Sequence, residues 1–359
     1  MRMMMKKLQV GIVGYGFSGE IFHAALLKAL EEFELAKFVS SNPQKVKSHF
    51  PNAEVVSNIE DLLSDPNIDV VIVTTPNITH YPFAKQALLA GKHVVVEKPF
   101  VNHSKDADDL IRIAAQENKV LSVYQNRRWD NDFLTVKACI ESGALGEVYY
   151  LQSNFDYYQP QVTNQWREQD LEGSGKLYDL GAHLIDQALL LFGLPDTISG
   201  DVLAQKENGV ADDYFHIILG YGKLRVILHS GTIVKHSGPR FQVHGSKGSF
   251  IKYGLDPQAD ALIQGKRPGD PIWGKEHEEY YGELSIDIGG IPLKGKIETI
   301  PGSYESFYKE LYLSITEKRP APVSATDAMN TIKVIEAVKK SNQEKRVVHF
   351  LYQQESSES

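Results

Sequence analysis

The chain has 359 residues, 42% of them hydrophobic, and a formal net charge of -8. That length exceeds what one hydrophobic core usually organises, so two domains are expected, and the acidic balance argues against nucleic acid as a partner. The one cysteine, Cys139, excludes an intramolecular disulfide framework and fits a reducing cytoplasm. No apolar run approaches a membrane span, and the basic start at Arg2, Lys6 and Lys7 leads into glycine-broken strand rather than a signal peptide.

The first predicted element is a strand over 8–13, which runs into Gly14-Tyr15-Gly16-Phe17-Ser18-Gly19. Ile21, Phe22, Ala25, Leu26 and Ala29 then recur at helical spacing. Strand, glycines and helix in this order form a dinucleotide cradle: Gly14 for the tight turn, Gly16 for close approach to a pyrophosphate, Gly19 for packing of helix on sheet. Further strands are predicted over 35–39, 70–74, 94–96 and 121–124, with helices between them. Gly91 is the expected helix stop and Ser104 the expected N-cap. This alternation is the pattern of a parallel α/β Rossmann sheet covered on both faces, and it assigns 1–128 to a nucleotide-binding domain.

The character changes after Trp129. A helix over 130–142, a strand over 148–155, a helix over 177–191 and strands over 214–219, 224–229 and 240–244 predict an α+β domain. It has a large, mostly antiparallel, open-faced sheet covered on one face by a helix, over 129–352. Residues 255–290, rich in Gly, Pro, Asp and Tyr, are expected as a long loop, either a substrate lid or a surface excursion. A helix over 325–341 and a strand over 347–351 close the domain, and 353–359 is expected as a disordered tail. No metal-ligand spacing is present, and no metal is expected.

Lys98, in Glu97-Lys98-Pro99, directly follows the predicted strand 94–96, and open α/β sheets present ligands at their strands' carboxyl ends. Asp179 and His183 stand four residues apart on a predicted helix and share a face, where a carboxylate can orient an imidazole for acid–base work. Alone, the lysine is also readable as a solvated surface charge and the pair as a capping interaction.

Taken with Thr74-Thr75-Pro76-Asn77-x-x-His80 and Gly173-Ser174-Gly175, these motifs resemble the glucose-fructose oxidoreductase/inositol dehydrogenase (Gfo/Idh/MocA) family over essentially the whole chain. Gly14 to Gly19 together with Gln125-Asn126-Arg127-Arg128-Trp129-Asp130 is most similar to the branch holding NADP-dependent scyllo-inositol dehydrogenases. The resemblance implies an oxidoreductase moving hydride between nicotinamide and the CH–OH group of a cyclic polyol or sugar. Lys98 then contacts the reacting oxygen, His183 handles the proton, Asp179 positions the pair, and Lys98-Pro99 is a candidate cis peptide. It also implies cofactor contacts from Gly14, Gly16, Phe17, Ser18, Gly19, Thr74, Pro76, Asn77, His80, Glu97, Lys98 and Asn126. A homodimer or homotetramer is expected. His80 is equally readable as a helix-start histidine satisfied by backbone.

For the substrate, Tyr157, Trp166, Arg167 and Tyr178 offer flat faces and polar tips near the Asp/His helix. Trp166 and Arg167 are read as cofactor contacts too, and Tyr281 and Trp273 as groups that close over the ring. Cofactor choice is expected at Ser40-Ser41-Asn42, where no carboxylate stands to accept the ribose 2′-hydroxyl of NAD; Ser40 and Ser41 can donate to a 2′-phosphate and Lys45 follows. NADP is therefore expected over NAD. The alternatives are an oxidoreductase of another sugar, an aldose or keto-sugar, and a catalytically inactive nucleotide-sensing regulator on the same fold. A regulator has no need of Lys98, Asp179 and His183 together.

Overall fold

The computed structural model describes residues 6–163 and 165–350. The expected tail at 353–359, the end of the last predicted strand at Leu351 and the start before Lys6 lie outside them. The chain forms two compact units, and no single cut separates them. The first gathers Met1–Thr135, Leu255–Glu279 and Glu298–Ile332; the second gathers Val136–Gly254, Tyr280–Ile297 and Lys333–Ser359.

The first unit is a six-stranded parallel sheet of β1 (Leu8–Val13), β2 (Phe33–Val39), β3 (Glu54–Val56), β4 (Val70–Val73), β5 (His93–Val96) and β6 (Leu121–Val123), in the order β3-β2-β1-β4-β5-β6. Val70, Val71, Ile72 and Val73 are all fully buried, as expected of a strand covered on both faces. β3, three residues at the sheet edge, is too short to leave a sequence pattern. At the carboxyl ends, the first residue beyond each strand except the edge strand β3 donates its N–H to the last residue of a neighbour: Ser40 to Val56, Gly14 to Val39, Thr74 to Val13, Glu97 to Val73 and Tyr124 to Val96, at 2.8–3.1 Å. One edge thus presents these five residues side by side.

The helix after the glycine loop opens as a π-wound turn, Gly19–Ala24, and becomes α-helical at Ala25–Leu27. The apolar spacing at 21, 22, 25 and 26 marks one face under either winding, so it does not reveal the difference. Gly91 ends helix His80–Leu89 with φ +72°, as expected. Ser104 is the first residue of helix Ser104–Gln116 rather than its cap, which is His103. Helix Glu305–Glu317 was not anticipated; its Phe307 and Tyr308 lie edge-on and tilted against Tyr124, at 4.9 and 5.8 Å.

The second unit is a nine-stranded sheet of β7 (Val148–Asn154), β8 (Thr197–Leu203), β9 (Tyr214–Tyr221), β10 (Leu224–Gly231), β11 (Phe241–Gly245), β12 (Gly248–Lys252), β13 (Gly282–Ile288), β14 (Ile291–Ile297) and β15 (Val348–His349). The order is β14-β13-β12-β11-β7-β10-β9-β8-β15, antiparallel throughout except for the parallel β7–β10 pair. Phe215, Ile217 and Leu219 alternate inward along β9, and Val226 and Leu228 along β10, on the buried face.

The loop expected over 255–290 is corrected. It contains helix Gln258–Ile263 and strand β13, which pairs with β14 across Gly289-Gly290. Both glycines have positive φ, 61° and 86°, the backbone that a two-residue hairpin turn requires. The Gly-rich composition masked a hairpin signal. Among the described residues no helix is long and apolar enough to cross a membrane.

Phe38 links sheet to glycine loop. It is fully buried, edge-on to Tyr15 at 5.2 Å and stacked on Phe50 at 5.3 Å. Phe38→Ala removes the ring that Tyr15 and Phe50 both pack against, and should lower the unfolding free energy by about 3–5 kcal/mol. Urea denaturation checks this; a loss below about 1 kcal/mol would show that the cluster closes over the gap.

Candidate active site

In the first unit the glycine loop borders a cavity of about 630 Å³ lined by Gly14, Gly16, Ser40, Ser41, Asn42, Thr74 and Pro76, among others. Gly14 takes φ +96°. A Cβ on Gly19 would sit 2.5 Å from the Gly14 carbonyl oxygen, whereas one on Gly16 would meet nothing within 4 Å. Gly19 is therefore required for packing, and Gly16 leaves open backbone facing the cavity. Thr74 Oγ1 holds the turn by donating to the Gly14 carbonyl at 2.8 Å. These features fit a dinucleotide: a bare backbone cradle at the start of a helix, beside a cavity of nucleotide size.

Ser40 and Ser41 line this cavity as expected, and Asn42 caps the next helix through Lys45 N–H. Lys45 is not among the lining residues. Its ammonium pairs with Glu20 at 2.6 Å and lies 5.5 Å above the Tyr15 ring. The one carboxylate among the lining residues is Glu60, which the sequence did not single out. Phe17 is exposed and edge-on to Phe22; Asn77 and Asn126 are buried at the starts of short 3₁₀ turns.

Lys98 follows β5, and the Lys98-Pro99 peptide is cis. His80 does not line the cavity. Its ring bridges the Thr75 and Pro99 carbonyls, both at 2.8 Å, joining the cavity lip to the peptide after Lys98, and burial holds its pKa below the usual histidine range. Glu97 is likewise turned inward. Its carboxylate accepts from Ser18 Oγ, from His23 Nε2 at 3.1 Å and from the Lys98 backbone N–H at 2.6 Å. Burial would raise its pKa, but His23, the Lys98 charge and Ser18 outweigh it and hold the carboxyl at about 2.

In the second unit, Asp179 and His183 lie on one helix that starts as a π-wound turn, Leu177–Gly181, and continues as α-helix Ala182–Phe192. π-turns are rare and frequent at functional sites. His183 is buried. Asp179 pairs with Lys176 Nζ at 3.1 Å and faces Arg167 Nε at 3.8 Å. The Arg167 guanidinium stacks over Trp166 at 4.8 Å, and Lys176 Nζ lies 5.6 Å above the Tyr157 ring. The predicted Tyr157, Trp166, Arg167 and Asp179 are thus brought together around a cation, Lys176, that the sequence does not single out. Burial opposes the charge on Lys176, yet Asp179 and Tyr157 raise its pKa above the ordinary lysine value.

Tyr178 is not part of that group. It is buried under Lys339 and lines a separate cavity of about 430 Å³ with Asp212. Trp273 donates its indole N–H to Glu305 at 2.9 Å within the first unit, and Tyr281 leads into β13 in the second. Asp212 was also missed. It accepts the Leu177 N–H at 2.7 Å, at the start of the Asp/His helix, and the Lys176 N–H binds its backbone carbonyl at 2.8 Å. A Cβ on Gly175 would lie 2.0 Å from its carboxylate, so Gly175 makes room for the cap. Capping across 35 residues leaves no local signal.

Residues 8–125 match the NAD-binding Rossmann fold of the Gfo/Idh/MocA oxidoreductase family, and residues 137–350 match that family's C-terminal alpha/beta domain. The chain is 45% identical, over 95% of each protein, to scyllo-inositol 2-dehydrogenase (NADP(+)) IolW of Bacillus subtilis. It is 26% identical to myo-inositol 2-dehydrogenase of Thermotoga maritima, over 95% of this chain and 98% of that one. The solved structure of yvaA from Bacillus subtilis superposes with a TM-score of 0.94 at 44% identity, covering 97% of this chain and 99% of that one.

Asp212 makes a titration test. Burial, with Asp213 adding to it, pushes its carboxyl from 3.8 to about 6 against the pull of the Leu177 and Lys176 N–H groups. Protonation therefore favours the fold: the group's stabilising contribution is complete below about 3.8 and is lost as pH rises through about 6, a difference of about 3 kcal/mol. Asp212→Asn keeps an oxygen for the Leu177 N–H without the charge. By urea denaturation at pH 7.5 it should exceed the wild type by about 1–3 kcal/mol, and the gap should close near pH 4. A variant less stable at pH 7.5 would show that the charge itself supports the helix start.

Proposed function

We propose that this chain, which belongs to the Gfo/Idh/MocA oxidoreductase family, is an NADP-dependent dehydrogenase of a cyclic polyol of the scyllo-inositol kind, interconverting a ring alcohol and its ketone. The carrying observation is the edge on which Gly14, Thr74 and Glu97-Lys98 stand side by side next to a nucleotide-sized cavity. Its support comes from 45% identity to an NADP-dependent scyllo-inositol 2-dehydrogenase over nearly the whole chain.

Accepting or donating the hydride is the chemistry a nicotinamide nucleotide supplies when bound. The glycine cradle binds it through open backbone at Gly16, with Thr74 holding the turn. A polyol hydroxyl is too weak an acid to give up hydride while protonated, so oxidation needs a base and a positive charge over the developing alkoxide. His183 takes the proton and Lys98 stabilises the oxygen; in reduction the same groups return the proton and polarise the ketone. Asp179 positions the histidine and is itself anchored by Lys176.

Lys98→Ala should lower kcat at least about 100-fold while cofactor affinity changes little, the loss expected of one oxyanion stabiliser. Steady-state absorbance with scyllo-inositol measures it; turnover within a few-fold of wild type would remove Lys98 from the reaction.

NADP preference is supported by the serines at the end of β2, and Glu60 on the cavity lining favours a second reading in which NAD is used as well. Ser41→Asp should cut kcat/KM for NADP by about tenfold or more relative to NAD, through repulsion of the 2′-phosphate. An unchanged cofactor ratio, or a wild type that prefers NAD, would overturn the assignment of this turn.

A further inference from the structure

The Glu97 carboxylate is where three elements of the first unit meet, and a fourth reaches it through His23. It receives the Ser18 hydroxyl from the glycine loop, His23 Nε2 from the first helix and the Lys98 N–H from its own strand end. His23 is fully buried; its Nδ1 lies 2.5 Å from the hydroxyl of Tyr308, on helix Glu305–Glu317, and its ring centre is 4.3 Å from that of Tyr124. Tyr124 in turn donates to the Phe22 carbonyl at 3.0 Å, fixing the turn that carries His23.

The direction of these bonds matters. With the imidazole proton on Nε2, Nδ1 accepts from the Tyr308 O–H, and Ser18, His23 and the Lys98 amide all donate into Glu97. The carboxylate, which can only accept, requires the proton on Nε2, and the Tyr308 O–H then donates to the Nδ1 lone pair that this tautomer leaves. A buried carboxylate is stable only when its lone pairs are filled in this way, so removing any donor disturbs the others.

We propose that His23 and Tyr308 are positioning residues for Lys98, acting through Glu97, and that the same carboxylate ties Ser18 to that lysine so that glycine loop and strand end move as one piece. The proposal rests on Lys98 serving the reaction as described above. Neither His23 nor Tyr308 lines the cofactor cavity, so the effect reaches catalysis through the Lys98 backbone.

The test compares His23→Phe, His23→Gln and Tyr308→Phe in the full chain, by kcat with scyllo-inositol, by NADPH affinity from fluorescence titration, and by amide hydrogen exchange of the peptide spanning 94–101. In His23→Phe, kcat should fall about tenfold or more while the NADPH Kd moves less than about threefold, and exchange in that peptide should quicken with and without NADPH. His23→Gln, whose amide can still donate to Glu97, should recover part of the loss, and Tyr308→Phe should show a smaller loss of the same kind. Turnover within twofold of wild type in both His23→Phe and Tyr308→Phe, or a kcat loss matched by equal losses of NADPH affinity and thermal stability, would overturn the proposal. Should His23→Phe not fold, Tyr308→Phe, which removes one oxygen, decides alone. If Lys98→Ala retains turnover, the catalytic assignment fails by itself, and unchanged exchange in the 94–101 peptide refutes the clamp independently.

Discussion

The register of the parallel ladder is the constraint on which the first unit's chemistry depends. Val13 pairs with Val73 and Val73 with Val96, so the chain leaves each of these strands at the same height. The residues that follow have no freedom to scatter along the sheet. A slip of one residue in β5 would turn Glu97 and Lys98 each to the face opposite its present one, because side chains alternate along a strand. The fully buried valine and isoleucine runs of β4 and β5 fix that register, which is why apolar strands with no chemistry of their own determine where the lysine stands.

The second unit solves a different problem. An aspartate beside a histidine needs a fixed position but is drawn toward any nearby cation. Lys176 at 3.1 Å and Arg167 at 3.8 Å hold Asp179 from two sides, and Arg167 is itself immobilised on Trp166. The helix bearing the pair is secured at its start by Asp212 rather than by a local serine or threonine. Long-range capping of this kind ties the orientation of the helix to β9 and its preceding turn, which continue from Asp212.

Much of this was legible in the sequence because local and global signals agreed. The glycine loop, the parallel strands and the helix bearing Asp179 and His183 are written in short-range spacing, and they lie within a few residues of where that spacing puts them. What was missed depends on partners distant in the chain. His23 reads as one more residue on a helix face until Glu97, 74 residues on, and Tyr308, 285 residues on, are known to meet it. Lys45 was expected near the serines on proximity alone, but Glu20 captures it. The β13–β14 hairpin has a local signal, since Gly289-Gly290 sits between alternating apolar runs, but the Gly- and Pro-rich composition around it reads as loop.

The first unit is assembled from three stretches of chain, and this bears on the order of synthesis. When the ribosome has made the whole parallel sheet, Phe307, Tyr308 and Ser324 are still some 200 residues away. The Tyr124 face that receives Phe307 and Tyr308, and Ser122, which pairs with Ser324, must wait uncovered while all of the second sheet but its last strand, β15, is translated. The nascent sheet is therefore an incomplete body with an open aromatic face, and its folding closes only near the end of elongation. A nucleotide-binding fragment truncated after the sixth strand would inherit that open face permanently, so swapping it between relatives requires carrying helix Glu305–Glu317 along as well.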